Sequence, residues 1–186
     1  MILKTEDDIR SLIESDVWMM EVLRAAEGLN LPDWWIGAGF LRNKVWNAIE
    51  DDNSHSTTDV DLVYFDPKDT STETDWSHDE RMNQDYHFAD WEIRNQARMH
   101  YKNNLEPYTS TEDGISNWVE TATCVAVKLT NGKLEFIFCH GIDDLVNLVA
   151  RPIPIFQTDE LIGIFSKRVE EKKWREKWPH LRVELR

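Results

Sequence analysis

Residues 34–66 read WWIGAGFLRNKVWNAIEDDNSHSTTDVDLVYFD, and the fold is decided by how that stretch divides. A short apolar run, Trp34, Trp35 and Ile36, meets the turn Gly37-Ala38-Gly39, after which Leu41, Val45 and Ile49 mark one face of a helix over Phe40 to Ile49. Asp51 to Thr58 has the composition of a surface loop. The run Val60 to Phe65 is apolar, β-branched and aromatic, which predicts a largely buried strand. The unit is strand, turn, helix, loop and strand. It carries two carboxylates at the start of its second strand, Asp59 and Asp61, spaced so that both side chains project to one face.

Working outward toward the N-terminus, Thr5 with Asp8 is an N-cap arrangement, and Ile9, Leu12, Ile13, Val17, Met20 and Leu23 recur at helical spacing until Gly28. Residues 1–30 are thus an N-terminal helical segment, one long helix or two broken near Ser15. On the other side, Asp66 to Gln84 is rich in Asp, Glu, Ser and Thr; it is either a mobile loop or a solvated helix carrying Trp76 inward. A short strand is expected at Trp91-Glu92-Ile93, a helix from about Asn95 to Tyr101 and a short helix within Thr109 to Trp118. Asn131-Gly132 is the favoured type I′ pair, flanked by strands over Thr121–Leu129 and Lys133–Phe138. Ile142 to Val149 reads as a short apolar helix, and Thr158 to Trp178 as an amphipathic helix within a C-terminal segment, 158–186. The expected architecture is one α+β (α/β-like) domain over 1–186, a mixed β-sheet flanked by helices on one side.

The 186 residues include 21 basic and 35 acidic ones, a formal net charge of −14, which argues against a broad nucleic-acid-binding surface. Cys124 and Cys139 sit inside apolar runs without metal-ligand spacing and read as small buried hydrophobes, in keeping with a reducing cytoplasm. Glu6, Asp7 and Asp8 stand where a signal peptide carries positive charge, and no segment approaches the length of a membrane span. A soluble, cytoplasmic, unprocessed protein is expected.

Two ionised carboxylates roughly 6 Å apart repel by about 3 kcal/mol at an effective dielectric near 20, and a shared divalent cation removes that cost. Asp59 and Asp61 therefore suit Mg²⁺, although a solvated strand end accounts for an Asp-x-Asp pair as well. Glu92, between two apolar residues, is the best third carboxylate for a two-ion site of the kind that aligns oxygens in phosphoryl or nucleotidyl transfer. Glu135 has the same pattern directly after the hairpin turn. Gly37 and Gly39 permit close backbone approach, so the helix N-terminus after them can receive a phosphate. Arg42 and Asn43 lie in its first turn, where Arg42 either faces the phosphates or pairs with an acid among Glu50 to Asp52. Asn95, Arg98 and Lys102 share a helical face, from which Arg98 or Lys102 can offset triphosphate charge. His55 and His100 are loop and packing residues. The terminal helix with Trp174, Trp178 and the basic residues of Lys167 to Lys177 is expected to dock on the domain.

Gly39-Phe40-Leu41-Arg42-Asn43 followed by Asp59-Val60-Asp61 resembles the DNA polymerase β-like nucleotidyltransferase superfamily, and the turn is similar to that in the head domain of tRNA CCA-adding enzymes. More closely, GAGFLRN, TDVDLVYFD, WEIRNQARMH, TATCVAVKL and GIDDLVNLVARP look like a bacterial family of small nucleotidyltransferase-like proteins, across roughly Leu31 to Pro154. The resemblance implies the polymerase β-like fold, Asp59, Asp61 and Glu92 as catalytic metal ligands, two Mg²⁺ ions and a nucleoside triphosphate lying against Gly37, Gly39, Arg42 and Asn43. The implied reaction moves a nucleoside monophosphate to an unknown hydroxyl-bearing acceptor. Three departures stand out. The turn reads Gly37-Ala38-Gly39-Phe40 and lacks the serine of the Gly-Ser that many members have, the third acid is Glu rather than Asp, and the long basic helical region that grips tRNA is absent. They leave a catalytically weak nucleotide sensor or partner-binding protein as the second reading.

Overall fold

The structure, a computed structural model, describes residues 1–103 and 105–186. The N-terminal segment forms two helices, α1 (Glu6–Glu14) and α2 (Val17–Gly28). The break falls at Ser15 because Asp16 caps α2, its side chain accepting from the Met19 N–H, while Thr5 and Asp8 close a reciprocal capping box on α1. Then follow β1 (Trp35–Gly37), α3 (Gly39–Glu50), β2 (Asp59–Tyr64), α4 (Thr72–Asp85) and β3 (Asp90–Asn95). A short α5 (Thr111–Ser116) precedes the hairpin of β4 (Val125–Thr130) and β5 (Lys133–Phe138). The chain ends through α6 (Asp143–Val146), β6 (Val149–Ala150), α7 (Ile162–Glu171), α8 (Trp174–Lys177) and β7 (Arg182–Val183).

Five strands form one mixed sheet in the order β3-β2-β1-β4-β5, and β6 and β7 pair separately. Only β2 and β3 run parallel in the large sheet, joined by the α4 crossover; the other neighbours are antiparallel. Asn131 and Gly132 both have positive φ, +51° and +77°, so the β4–β5 turn has the type I′ backbone that its sequence announces.

Alternation along the strands divides the core. Ile36, Leu62 and Val127 face the larger apolar layer built by α1, α2, α3, α7 and α8. Trp35, Val63, Ala126 and Ile137 face a smaller cluster with Ile115 and Phe156. Helices therefore cover mainly one face, and the other stays open near the start of β2. Cys124 and Cys139 are free thiols, and burial pushes the Cys139 thiol up to about 12, which suits inert packing. Among the described residues no helix is long and apolar enough to cross a membrane.

Three expectations are corrected. The acidic 66–84 region contains a helix, α4, but Trp76 points outward at 60% exposure and Asp75 is the fully buried residue. The helix expected after β3 is present as a 3₁₀ helix, Gln96–Asn103, but the strand expected from Thr121 starts only at Val125, because Thr121–Thr123 form a 3₁₀ turn. The terminal helix is two helices, broken where Lys173 takes φ +52° and turns the chain so that Trp174 and Trp178 reach the core. There Trp46 meets both rings edge-on at 5.8 and 4.9 Å.

Candidate active site

The parallel register sets Asp59 opposite Asp90 and Asp61 opposite Glu92, so four acids share one face at the N-terminal ends of β2 and β3. Asp61 is half-buried, and its carboxyl is raised by that burial and by the charges of Glu92 and Asp59, with Arg42 and Lys172 opposing. Among the described residues the Asp61 carboxylate has no hydrogen-bond or ion-pair partner. Glu92 is engaged by a cation: Arg94 Nε lies 3.3 Å from it, while the same guanidinium holds Asp79 at 2.7 Å. The expected triad is therefore adjacent in register without converging, and among the described residues no group of three or more His, Cys, Asp and Glu side chains is gathered to hold a metal ion. The donor set fits Mg²⁺ in chemistry, being all oxygen. Glu135 pairs across the hairpin with Lys128 at 3.2 Å, on an edge strand away from this cluster.

The turn before α3 is built differently from what its glycines suggest. A Cβ at Gly37 would stand 2.6 Å from the Trp118 ring, so this glycine makes room for a tryptophan. The strained position is Ala38, with φ +53° and ψ −123°, a conformation costing a non-glycine residue about 1–3 kcal/mol. As N-cap of α3 it offers no side chain to the first amides, which leaves the positive end of a twelve-residue helix exposed beside Asp61. Arg42 is buried and does not pair with Glu50, Asp51 or Asp52. Its Nη1 donates to Thr123 Oγ1 at 2.8 Å and its Nη2 to Asn43 Oδ1 at 2.8 Å, and its guanidinium lies over the Trp174 ring at 4.6 Å. Burial lowers the group to about 10, against the pull of Glu120, so it is charged at neutral pH.

The basic residues that face the acids come from the C-terminal helices. Asp61 and Lys172 both line three adjoining cavities of about 150, 430 and 350 Å³. Arg168 and Lys177 line the first of these with Gly39, Arg42, Asn43 and Asp59. Arg168 is anchored by the fully buried Glu120 at 2.6 Å, whereas Lys172 has no ion-pair partner among the described residues. The basic run is visible in the sequence, but nothing there places it opposite Asp61: Arg168 is held by Glu120, far away in the chain, and the helix break at Lys173 that precedes Lys177 is not encoded by a turn-forming residue.

Arg98 is not brought to this cluster. It lies beyond the far end of β3, at least three strand residues or roughly 10 Å past Glu92, and pairs with buried Asp75. The Lys102 side chain lies outside the described residues. His100 is buried against Tyr101 and Tyr108, and His55 edges the Trp178 ring at 6.4 Å.

A family model described as Nucleotidyltransferase matches residues 24–183. A solution structure described as revealing a CCA-adding enzyme head domain is 30% identical, with TM-score 0.87 over 98% of this chain and 97% of that one. The fold also matches a CCA-adding enzyme in complex with CTP, 14% identical with TM-score 0.58. A tRNA-processing enzyme is 15% identical with TM-score 0.51. This chain spans 44% of the length of each of those two larger enzymes. No curated protein matches the chain.

Proposed function

The chain belongs to the nucleotidyltransferase family whose model it matches, and from that premise we propose that it transfers a nucleoside monophosphate from a nucleoside triphosphate to a hydroxyl-bearing acceptor, with Mg²⁺. The observation that carries this reading is charge placement. In a chain of net charge −14, the unpartnered Asp61 faces Lys172, Arg168, Arg42 and the uncapped start of α3. Acids beside cations and helix amides are what a metal-bound triphosphate requires. The fold it shares with a CTP-bound enzyme supports a nucleotide donor.

Asp59, Asp61 and Glu92 are the residues that would hold two Mg²⁺ ions, which when bound neutralise the phosphates and align the attacking and leaving oxygens. Glu92 must leave Arg94 to take part. Lys172, Asn43 and the α3 amides bind non-bridging phosphate oxygens, and Arg42 adds charge from behind and holds Asn43 in place. Gly37 supports the turn through Trp118, while Gly39 keeps its first amide accessible. The acceptor oxygen bonds to the α-phosphorus, the bond to pyrophosphate breaks, and the acceptor proton passes to Glu92. Net negative charge favours an acceptor other than a nucleic-acid duplex.

Incubation with α-labelled nucleotides and a panel of hydroxyl acceptors should give labelled acceptor and equimolar pyrophosphate, both strongly reduced in Asp61→Asn. No transfer across the panel counts against catalysis. The Glu92–Arg94 ion pair and the missing turn serine favour the second reading, a nucleotide sensor. For that reading, calorimetry should give Mg²⁺-dependent nucleotide binding, abolished by Asp61→Ala, without turnover.

A further inference from the structure

On the other side of the first turn of α3 lies a cavity of about 310 Å³ that the phosphate site does not use. Trp18, Met19 and Phe40 form its apolar wall, and the ion pair of Lys44 with Asp16, at 2.7 Å, forms a charged corner. The Trp18 and Phe40 rings are tilted by 43° with centroids 5.8 Å apart. Trp18 is half-buried and fixed in place, since its indole Nε1 donates to the Phe88 carbonyl at 2.8 Å. Gly39, Asn43 and Thr57 line both this cavity and the smaller one beside Asp59 and Asp61. The two spaces therefore share a wall.

We propose that this cavity is the nucleobase subsite, with the base lying against Trp18 and Phe40, the ribose passing Gly39 and the triphosphate in the adjoining cavity. The proposal rests on the nucleotide reading above. A base is tied to its α-phosphate through one sugar, so its site must share a wall with the phosphate site, as this one does. A heteroaromatic ring matches an aromatic wall with a charged corner, because its faces stack while its edges exchange hydrogen bonds. The cavity of about 430 Å³ beyond Asp59, Asp61 and Glu92 is lined by Asn83 and Asp90 and reaches the acids directly. Gly39 at the passage is consistent with this path, since a Cβ there would already stand 3.2 Å from Asn43 Nδ2.

The test is calorimetry on the full chain with Mg²⁺ and three probes: ATP, CTP and inorganic tripolyphosphate. The wild type should bind at least one nucleotide more tightly than tripolyphosphate. Trp18→Ala should weaken that nucleotide on the order of tenfold and leave tripolyphosphate unchanged, which also reports an intact fold, while Trp18→Phe keeps the affinity. In the wild type, the Trp18 indole N–H resonance should shift with nucleotide and stay in place with tripolyphosphate, an outcome independent of how any variant folds. Equal wild-type affinity for nucleotide and tripolyphosphate, or equal weakening of both by Trp18→Ala, overturns the base subsite alone. A wild type that binds none of the three overturns the nucleotide reading with it.

Discussion

The two ends of the β2–β3 pair treat a carboxylate in opposite ways. At the C-terminal end, fully buried Asp75 accepts from the Tyr64 hydroxyl at 2.8 Å and the Asn95 N–H at 3.1 Å, and is paired with the Arg98 guanidinium. Burial and Asp75 together push the Tyr64 hydroxyl far up, so it stays a donor. At the N-terminal end, Asp61 is half-buried with none of this. It faces Glu92 and Asp59, which repel it, and Lys172, which has no ion-pair partner among the described residues. A buried charge with its hydrogen bonds complete is structure. One left incomplete beside a cation marks a place for something to bind.

The largest expected effect breaks the structural end. Asp75→Ala leaves Arg98 uncompensated and should cost about 3–5 kcal/mol in urea unfolding. A loss under about 1 kcal/mol would erase the distinction between the ends. Next, Asp61→Asn should lower transfer roughly 10²–10³-fold yet raise the melting temperature at pH 7. The folded state raises the Asp61 carboxyl, so its ionisation penalises folding once the pH has risen from the ordinary carboxylate value through the folded one. At pH 3, where the carboxyl is mostly protonated, the gain should shrink toward zero; a gain that persists there contradicts this assignment of cause. Lys172→Ala should raise KM for the nucleotide about tenfold, more at low salt than at high, without changing the melting temperature. The smallest effect sharpens the view of α4: Trp76→Ala should lie within about 0.5 kcal/mol of wild type in the same urea experiment.

Where sequence and structure agree, a local rule was in command. Thr5 with Asp8, and Asn131 with Gly132, carry their geometry within a few residues, the apolar and β-branched run from Val60 settles the strand, and the two-residue spacing of Asp59 and Asp61 puts them on one face. The disagreements come from partners distant in sequence. Trp76 looked like the inward residue because it is the larger hydrophobe, but the space beneath α4 holds Asn95 and Arg98, which select Asp75. The same buried Asp75 holds Arg98 at the far end of β3, away from the acid cluster. The diversion of Glu92 was legible, since strand alternation already puts Glu92 and Arg94 on one face. The C-terminal cations were not, because Arg168 is held by Glu120, a partner distant in sequence, and a lysine at φ +52° gives no warning of the helix break that precedes Lys177.

The central claim, that the N-terminal end of β2 and β3 holds a metal-bound nucleotide, is tested most directly by melting temperature with Mg²⁺ and a non-hydrolysable nucleoside triphosphate. At a hundred times Kd, binding should stabilise the wild type by about 2.7 kcal/mol. The same upward shift should appear in Asp75→Asn, on its lower baseline, and vanish in Asp61→Asn. An equal shift in Asp61→Asn, or none in the wild type, would contradict the account.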